Sequence, residues 1–254
     1  MQNQLLENKT ALITGAGRGI GKAIALAFAQ AGADVILVSR TATELQKVAD
    51  EIAGFGRQAW PRTFDLSQLD DIAGFYAQIT AQTGPVDILV NVAGVIHRAA
   101  SLDFPADKWQ QALNVNLSAP FRLCQCFARD RVAAQKPGKI INITSLLAEA
   151  GRASIPAYAA SKSGLKILTQ TLAVEWAQYH INVNAIGPGY IETELTEPLV
   201  NNEPFTSWVL SKTPMQRWGT PGDLTGAALF LASAQADFIT GQTIYVDGGW
   251  LAQI

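Results

Sequence analysis

Thr10-Ala11-Leu12-Ile13-Thr14-Gly15-Ala16-Gly17-Arg18-Gly19-Ile20-Gly21 is the stretch on which the fold turns. Thr10–Thr14 is a short apolar, β-branched run of the kind that forms a strand buried on both faces. The run feeds directly into a glycine-rich turn, and an amphipathic pattern over Gly21–Ala31 opens a helix behind it. Glycines in such a turn let the backbone bend tightly and approach a phosphate without a Cβ clash. The helix that follows offers unpaired N–H groups and the positive end of its dipole. Strand, turn and helix in that order predict an anion cradle of the dinucleotide-binding kind, although the spacing is not G-x-G-x-x-G, because Ile20 stands at the third glycine's place.

The same alternation continues along the chain. Further strands are expected at Val35–Ser39, Ala59–Phe64, Ile88–Asn91, Lys139–Thr144, Asn182–Ile186 and Thr243–Val246, with helices at Thr43–Phe55, Gln68–Gln82 and Ala157–Tyr179. Thr41, with Glu44 three residues on, predicts a capping box at the start of the second helix. Seven strands separated by helices read as an α/β fold with a doubly wound, mostly parallel sheet and helices on both faces. No composition shift marks a linker in the 254 residues, so a single domain is expected, with a cofactor half to about residue 140 and a catalytic half from 141 to 254. Glu192–Gly219 is the least regular stretch and reads as a long loop or a lid over a pocket.

Composition excludes several classes. Hydrophobic residues make up 48% and charged residues 16%, with a formal net charge of -2, which gives no field for nucleic acid. No run approaches the length needed to cross a bilayer, and MQNQLLENK is not a secretory signal. The two cysteines, Cys124 and Cys126, are two apart in a helix, point to different faces and are expected to stay reduced. These features predict a cytoplasmic protein. His97 and His180 belong to no metal-ligand spacing, so no metal is expected.

The second strand ends in Val38-Ser39-Arg40, where an NAD site usually carries an acidic residue for the ribose 2′-OH. Ser39 carries no charge, and Arg40 with Arg18 forms an expected clamp on a 2′-phosphate. NADP is therefore the predicted cofactor, with NAD the second candidate. Asp65 and Leu66 follow the third strand at the adenine end, with N-capping alongside Ser67 the other reading of Asp65; Asn91, Ala93 and Gly94 follow the fourth.

Tyr158 is followed four residues later by Lys162, which puts both on one helix face. Bringing a phenol from pKa ~10 toward neutrality requires about 4 kcal/mol, and one ammonium at ~4 Å supplies roughly that at an effective dielectric near ~20. Lys162 is thus expected to make Tyr158 a working acid and base. Ser145 stands just past the end of the fifth strand, in the crevice where parallel strands present ligands, and a hydroxyl there donates to a developing oxyanion.

In order and spacing these residues resemble the short-chain dehydrogenase/reductase family, and the likeness covers essentially the whole chain. The resemblance implies a Rossmann fold and a soluble NADP-dependent oxidoreductase working on a small-molecule carbonyl/alcohol pair, assembled as a homotetramer. It implies a catalytic set of Asn116, Ser145, Tyr158 and Lys162, with Asn116 holding a water in the proton relay. It matches Thr14, Gly15, Gly19, Ile20 and Gly21 to the cofactor turn, and Pro188, Gly189, Ile191 and Thr193 to the nicotinamide carboxamide segment. Val246-Asp247-Gly248-Gly249 resembles the C-terminal turn of family tetramers, where Trp250 has a subunit interface or plain core packing as its two readings. One departure is Val92, where the family has a second asparagine, and a small local hydrogen-bond change is expected there. Val95-Ile96-His97-Arg98, Arg217-Trp218-Gly219 and Val246–Leu251 resemble sugar-acid dehydrogenases of the gluconate 5-dehydrogenase and 2-deoxygluconate 3-dehydrogenase type. For such a substrate His97, Arg98 and Arg152, with Leu147, Ser145 and Tyr158, are the expected contacts. A 3-oxoacyl-thioester (acyl-carrier-protein) reductase, a steroid or aromatic alcohol dehydrogenase and a non-catalytic nucleotide sensor are the competing readings.

Overall fold

The computed structural model describes residues 4–253. Seven parallel strands form one sheet in the order β3-β2-β1-β4-β5-β6-β7. They are β1 (Thr10–Thr14), β2 (Asp34–Ser39), β3 (Ala59–Thr63), β4 (Ile88–Asn91), β5 (Gly138–Ile143), β6 (Ile181–Pro188) and β7 (Thr243–Val246). Every expected strand is present, and β6 runs two residues further than its apolar core, so that Pro188 ends the strand rather than opening a loop. All pairings are parallel.

Side chains alternate across the sheet, as the period of two requires. Ile13, Val35, Leu37, Val90 and Ile141 pack under α1 (Gly19–Gln30), α2 (Ala42–Ala53) and α9 (Thr225–Ala232). Leu12, Ile36, Val38, Leu89 and Ile140 pack on the other face under α3 (Ile72–Thr83), α5 (Ala119–Ala134) and α6 (Pro156–Trp176). Phe28 from α1 and Phe127 from α5 are both fully buried, one on each face. Each contributes roughly 2–3 kcal/mol of burial. Strand order reverses between β1 and β4, which opens a crevice at their C-terminal ends.

Several local expectations are corrected. Thr41 sits at the α2 N-cap but its side chain makes no cap bond, and Glu44 turns away toward Arg18. The helix expected from Gln68 starts with a short 3-10 turn, Leu69–Asp71, before α3. The long helix expected to Tyr179 closes as a 3-10 turn after Trp176. Glu192–Gly219 is not structureless: it holds α7 (Glu197–Val200) and α8 (Glu203–Lys212), the latter capped by Asn202, whose side chain accepts from Phe205 N at 3.0 Å. A short parallel bridge, Ile191 to Gly219, closes the base of this excursion. Between α4 (Ala106–Leu113) and α5 the chain makes a π-turn over Asn114–Ser118. Such turns cluster at functional sites. Both cysteines are free. No helix among the described residues is long and apolar enough to cross a membrane.

Candidate active site

A cleft opens over the β1/β4 reversal, lined by Gly15, Arg18, Gly19, Ile20, Gly21, Ser39, Arg40, Asp65, Leu66, Ala93, Gly94 and Thr193. Gly15 has φ +66, and a Cβ on Gly21 would lie 2.2 Å from the Gly15 carbonyl oxygen. The turn can close only without side chains at these two places. Thr14 lies behind it, its Oγ1 accepting from Val92 N (3.0 Å) and Ala93 N (3.1 Å), which locks the end of β1 to the end of β4. These bonds use the backbone of residue 92, so valine there disturbs neither, and its side chain joins the core. Asn91 does not turn its amide into the cleft: Nδ2 donates to Asn142 Oδ1 at 2.9 Å, inside the sheet. Asp65 accepts from Ser67 N at 2.9 Å, a local turn bond rather than the helix N-cap of its other reading, since the following 3-10 turn begins at Leu69 with Gln68 as its cap. That bond, with the Ser67 hydroxyl and the nearby Arg40 cation, holds its carboxyl below the usual range. Gly189 donates to Val246 O at 3.0 Å and Ile191 is buried in the bridge to Gly219, so this pair anchors the wall that carries Thr193.

The Arg18–Arg40 clamp is not assembled as expected. Arg18 Nη1 is ion-paired with Glu194 and lies 3.9 Å from Glu44 Oε1. Both carboxylates line the cleft. Neither carries a cofactor signal in the sequence: Glu44 reads locally as part of a cap with Thr41, and Glu194 lies in a stretch without periodicity.

The four candidate catalytic groups converge at the C-terminal end of β5. Ser145, two residues past the strand, caps the next turn by accepting from Leu147 N at 3.1 Å, and its hydroxyl is close enough to the Tyr158 phenol to favour its charged form. Lys162 is 3% exposed and donates to the Ile143 carbonyl at 2.7 Å. Asn116, inside the π-turn, has no exposure; its amide bonds Val95 N (2.8 Å), Val95 O (2.9 Å) and Ser161 Oγ (3.0 Å). Ser161, which no sequence pattern marks, in turn donates to the Tyr158 carbonyl at 2.8 Å and links the π-turn to α6.

Electrostatics here differ from the expected scheme. Burial pushes the Tyr158 phenol up, partly offset by the Ser145 hydrogen bond and the Arg98 charge. Lys162 Nζ lies 5.8 Å from the Tyr158 ring centroid, and its own burial brings it down to about 8. Desolvation of both groups outweighs the attraction between them, because the ammonium points at a backbone carbonyl rather than at the phenolic oxygen. At neutral pH the phenol therefore holds its proton, and the amine titrates close to working pH.

Arg98 and Arg152 come together on the Tyr158 side. Arg98 is drawn down by burial and by the Arg152 charge beside it. Arg152 is fixed by the Tyr190 hydroxyl at 2.6 Å and the Phe205 face at 4.4 Å. Neither arginine has a salt-bridge partner among the described residues. His97 instead packs edge-on against Phe104, centroids 5.6 Å apart. Trp208, Trp218 and Trp250 cluster around Tyr190, so Trp250 is packed within its own chain at 4.8 Å from that ring. Tyr190 and Phe205 were missed in the sequence, where only their aromatic character was available as a signal.

A family model described as Enoyl-(Acyl carrier protein) reductase matches residues 15–251. The chain is 41% identical over 248 residues to a 2-dehydro-3-deoxy-D-gluconate 5-dehydrogenase of Escherichia coli, covering 98% of this chain and 97% of that one. It is 40% identical over 249 residues to a 5-keto-D-gluconate 5-reductase of the same organism, covering 98% of both. It superposes with a TM-score of 0.95 and 39% identity on a gluconate 5-dehydrogenase from Burkholderia cenocepacia solved with NADP and tartrate, covering 100% of this chain and 99% of that one.

Proposed function

Because the chain belongs to the short-chain dehydrogenase/reductase family, we propose that it moves a hydride between NADP(H) and the secondary alcohol or ketone carbon of a gluconate-type sugar acid. The observation that carries the substrate class is the Arg98–Arg152 pair beside Tyr158, two guanidiniums without a carboxylate partner among the described residues. Like charges held together against their repulsion fit a site whose carboxylate arrives with the substrate. A steroid gives these cations no partner, and a 3-oxoacyl thioester carries its phosphate at the far end of a long arm from the reacting carbonyl. Trp208, the kind of side chain an apolar alcohol would need, packs instead on Arg152, Tyr190 and Trp250.

The cleft residues fit a dinucleotide on structural grounds: a Cβ on Gly15 would lie 3.1 Å from the Ala93 backbone and one on Gly21 2.2 Å from the Gly15 carbonyl oxygen, so the turn keeps the side-chain-free approach that a pyrophosphate needs. When bound, the nicotinamide ring supplies or accepts the hydride. In the reducing direction Ser145 Oγ donates to the substrate carbonyl oxygen and Tyr158 delivers its proton there. Lys162, which holds the helix to the end of β5 through Ile143, replenishes that proton. Asn116 fixes the π-turn against Val95 and Ser161, with its water-holding role part of the same proposal. The half of the chain up to about residue 140 carries most of the cofactor cleft, and the half from 141 on carries the catalytic and substrate residues, with Thr193 closing the cleft from that side.

A cytoplasmic homotetramer completes the reading. Ile167 and Val174, 60% and 84% exposed and seven residues apart on α6, support a subunit contact; light scattering in solution tests it.

The function is tested by kcat/KM for 5-ketogluconate, gluconate and an uncharged ketose and hexitol of equal length, with NADP(H). The sugar acids should lead by ~10-fold or more, and Arg98→Met should raise KM for the acids alone. Equal rates on acid and neutral substrates, or turnover only of 3-oxoacyl thioesters, would refute it.

A further inference from the structure

The adenosine end of the cleft holds an acid that a purely NADP-selective site has no use for. Glu44 Oε2 lies 2.8 Å from the point where a Cβ on Gly17 would sit, and Ser39 Oγ lies 3.2 Å from the same point. Carboxylate and hydroxyl therefore face each other across Gly17, both lining the cleft beside Arg40. Arg18 stands between two carboxylates, Glu44 at 3.9 Å and Glu194 on the wall of the lid. We propose that Glu44 is a specificity-determining residue that narrows this chain's discrimination between NADP and NAD. The proposal rests on the dinucleotide reading of the cleft and adds to it which of the two dinucleotides is accepted.

Its physical basis is charge and hydrogen-bond type. A 2′-phosphate placed between Ser39 and Arg40 gains Arg40 but meets the Glu44 charge, and it must draw Arg18 away from the two carboxylates. A ribose 2′-OH in the same place donates to the Glu44 carboxylate, and Arg18 keeps its pairs. The acid thus weakens one cofactor and holds the other, in the role that the uncharged Ser39 vacates.

Binding of NADP and of NAD is measured by isothermal titration calorimetry on the wild type, Glu44→Gln and Glu51→Gln. Glu51 lies further along α2, paired with Lys22 at 2.8 Å, and controls for net charge. Glu44→Gln should tighten NADP about fivefold, as loss of one charge ~6 Å from a phosphate in a watery site implies, and should weaken NAD about twofold. The NADP/NAD ratio of affinities then rises about tenfold. An unchanged ratio, or an equal rise in Glu51→Gln, overturns the proposal while leaving the dinucleotide reading intact. A wild type that binds neither dinucleotide removes both.

Discussion

Replacing Lys162 by methionine should destroy activity and yet make the cofactor-free protein more stable at neutral pH. The amine is 3% exposed and burial lowers it from 10.5 to about 8. That depression corresponds to a penalty of about 3 kcal/mol on the charged form. Methionine fills a similar volume without the charge but leaves the Ile143 carbonyl without its donor, a loss of about 1 kcal/mol. The net gain is about 2 kcal/mol, or roughly 5 °C in Tm for a chain of this length. Its pH dependence is the discriminating feature. Below pH 8 the lysine is charged in both folded and unfolded chains, so the wild type bears the whole penalty. Between about 8 and 10.5 only the unfolded chain keeps the proton, and wild-type stability rises with pH. Above that range neither state is charged, and the advantage of methionine is gone. Thermal unfolding monitored by fluorimetry at pH 7 and pH 10.5, at one protein concentration, measures the gap. A variant less stable than wild type at pH 7, or a gap that does not change with pH, would refute the argument.

Tyr158→Phe removes the proton carried at the end of the Ser145 hydrogen bond, so kcat should fall by ~10²–10⁴ with NADP affinity by calorimetry unchanged; near-normal turnover would remove Tyr158 from the chemistry. Arg131→Met breaks a pair in which Arg131, 3% exposed, bonds Asp87 Oδ1 at 2.9 Å at the opposite end of the sheet. Urea unfolding should register a loss of about 3 kcal/mol while kcat is retained. A loss below ~1 kcal/mol would mean that Asp87 is satisfied by Thr10 N, at 3.0 Å, without the arginine.

Much of the site was legible because its signals are local. Gly15 and Gly21 are required by backbone geometry within one turn, and Tyr158 and Lys162 share a helix face by period alone. Ser145 follows a strand whose apolar run marks its end. Where the chain's own neighbourhood offered a competing explanation, the reading went astray. Glu44 is three residues from Thr41, a plausible cap, yet it faces Arg18 from a different turn of chain. The helices α7 and α8 carry little helical periodicity; α7 is a single turn, and the order of α8 comes from Asn202 capping and from the packing of Phe205 and Trp208 on Tyr190.

The strand-to-helix alternation, the glycine turn and the Tyr158–Lys162 pair on one helix face were determined by sequence alone, since each depends on interactions between residues at most a few positions apart. Which charges meet was decided only by the tertiary structure. Arg98 and Arg152 are 54 residues apart and Arg18 and Glu194 are 176 apart. Burial also set the protonation of Tyr158 and Lys162 against the simple pair estimate, because desolvation depends on everything packed around a group and not on its neighbour in the chain.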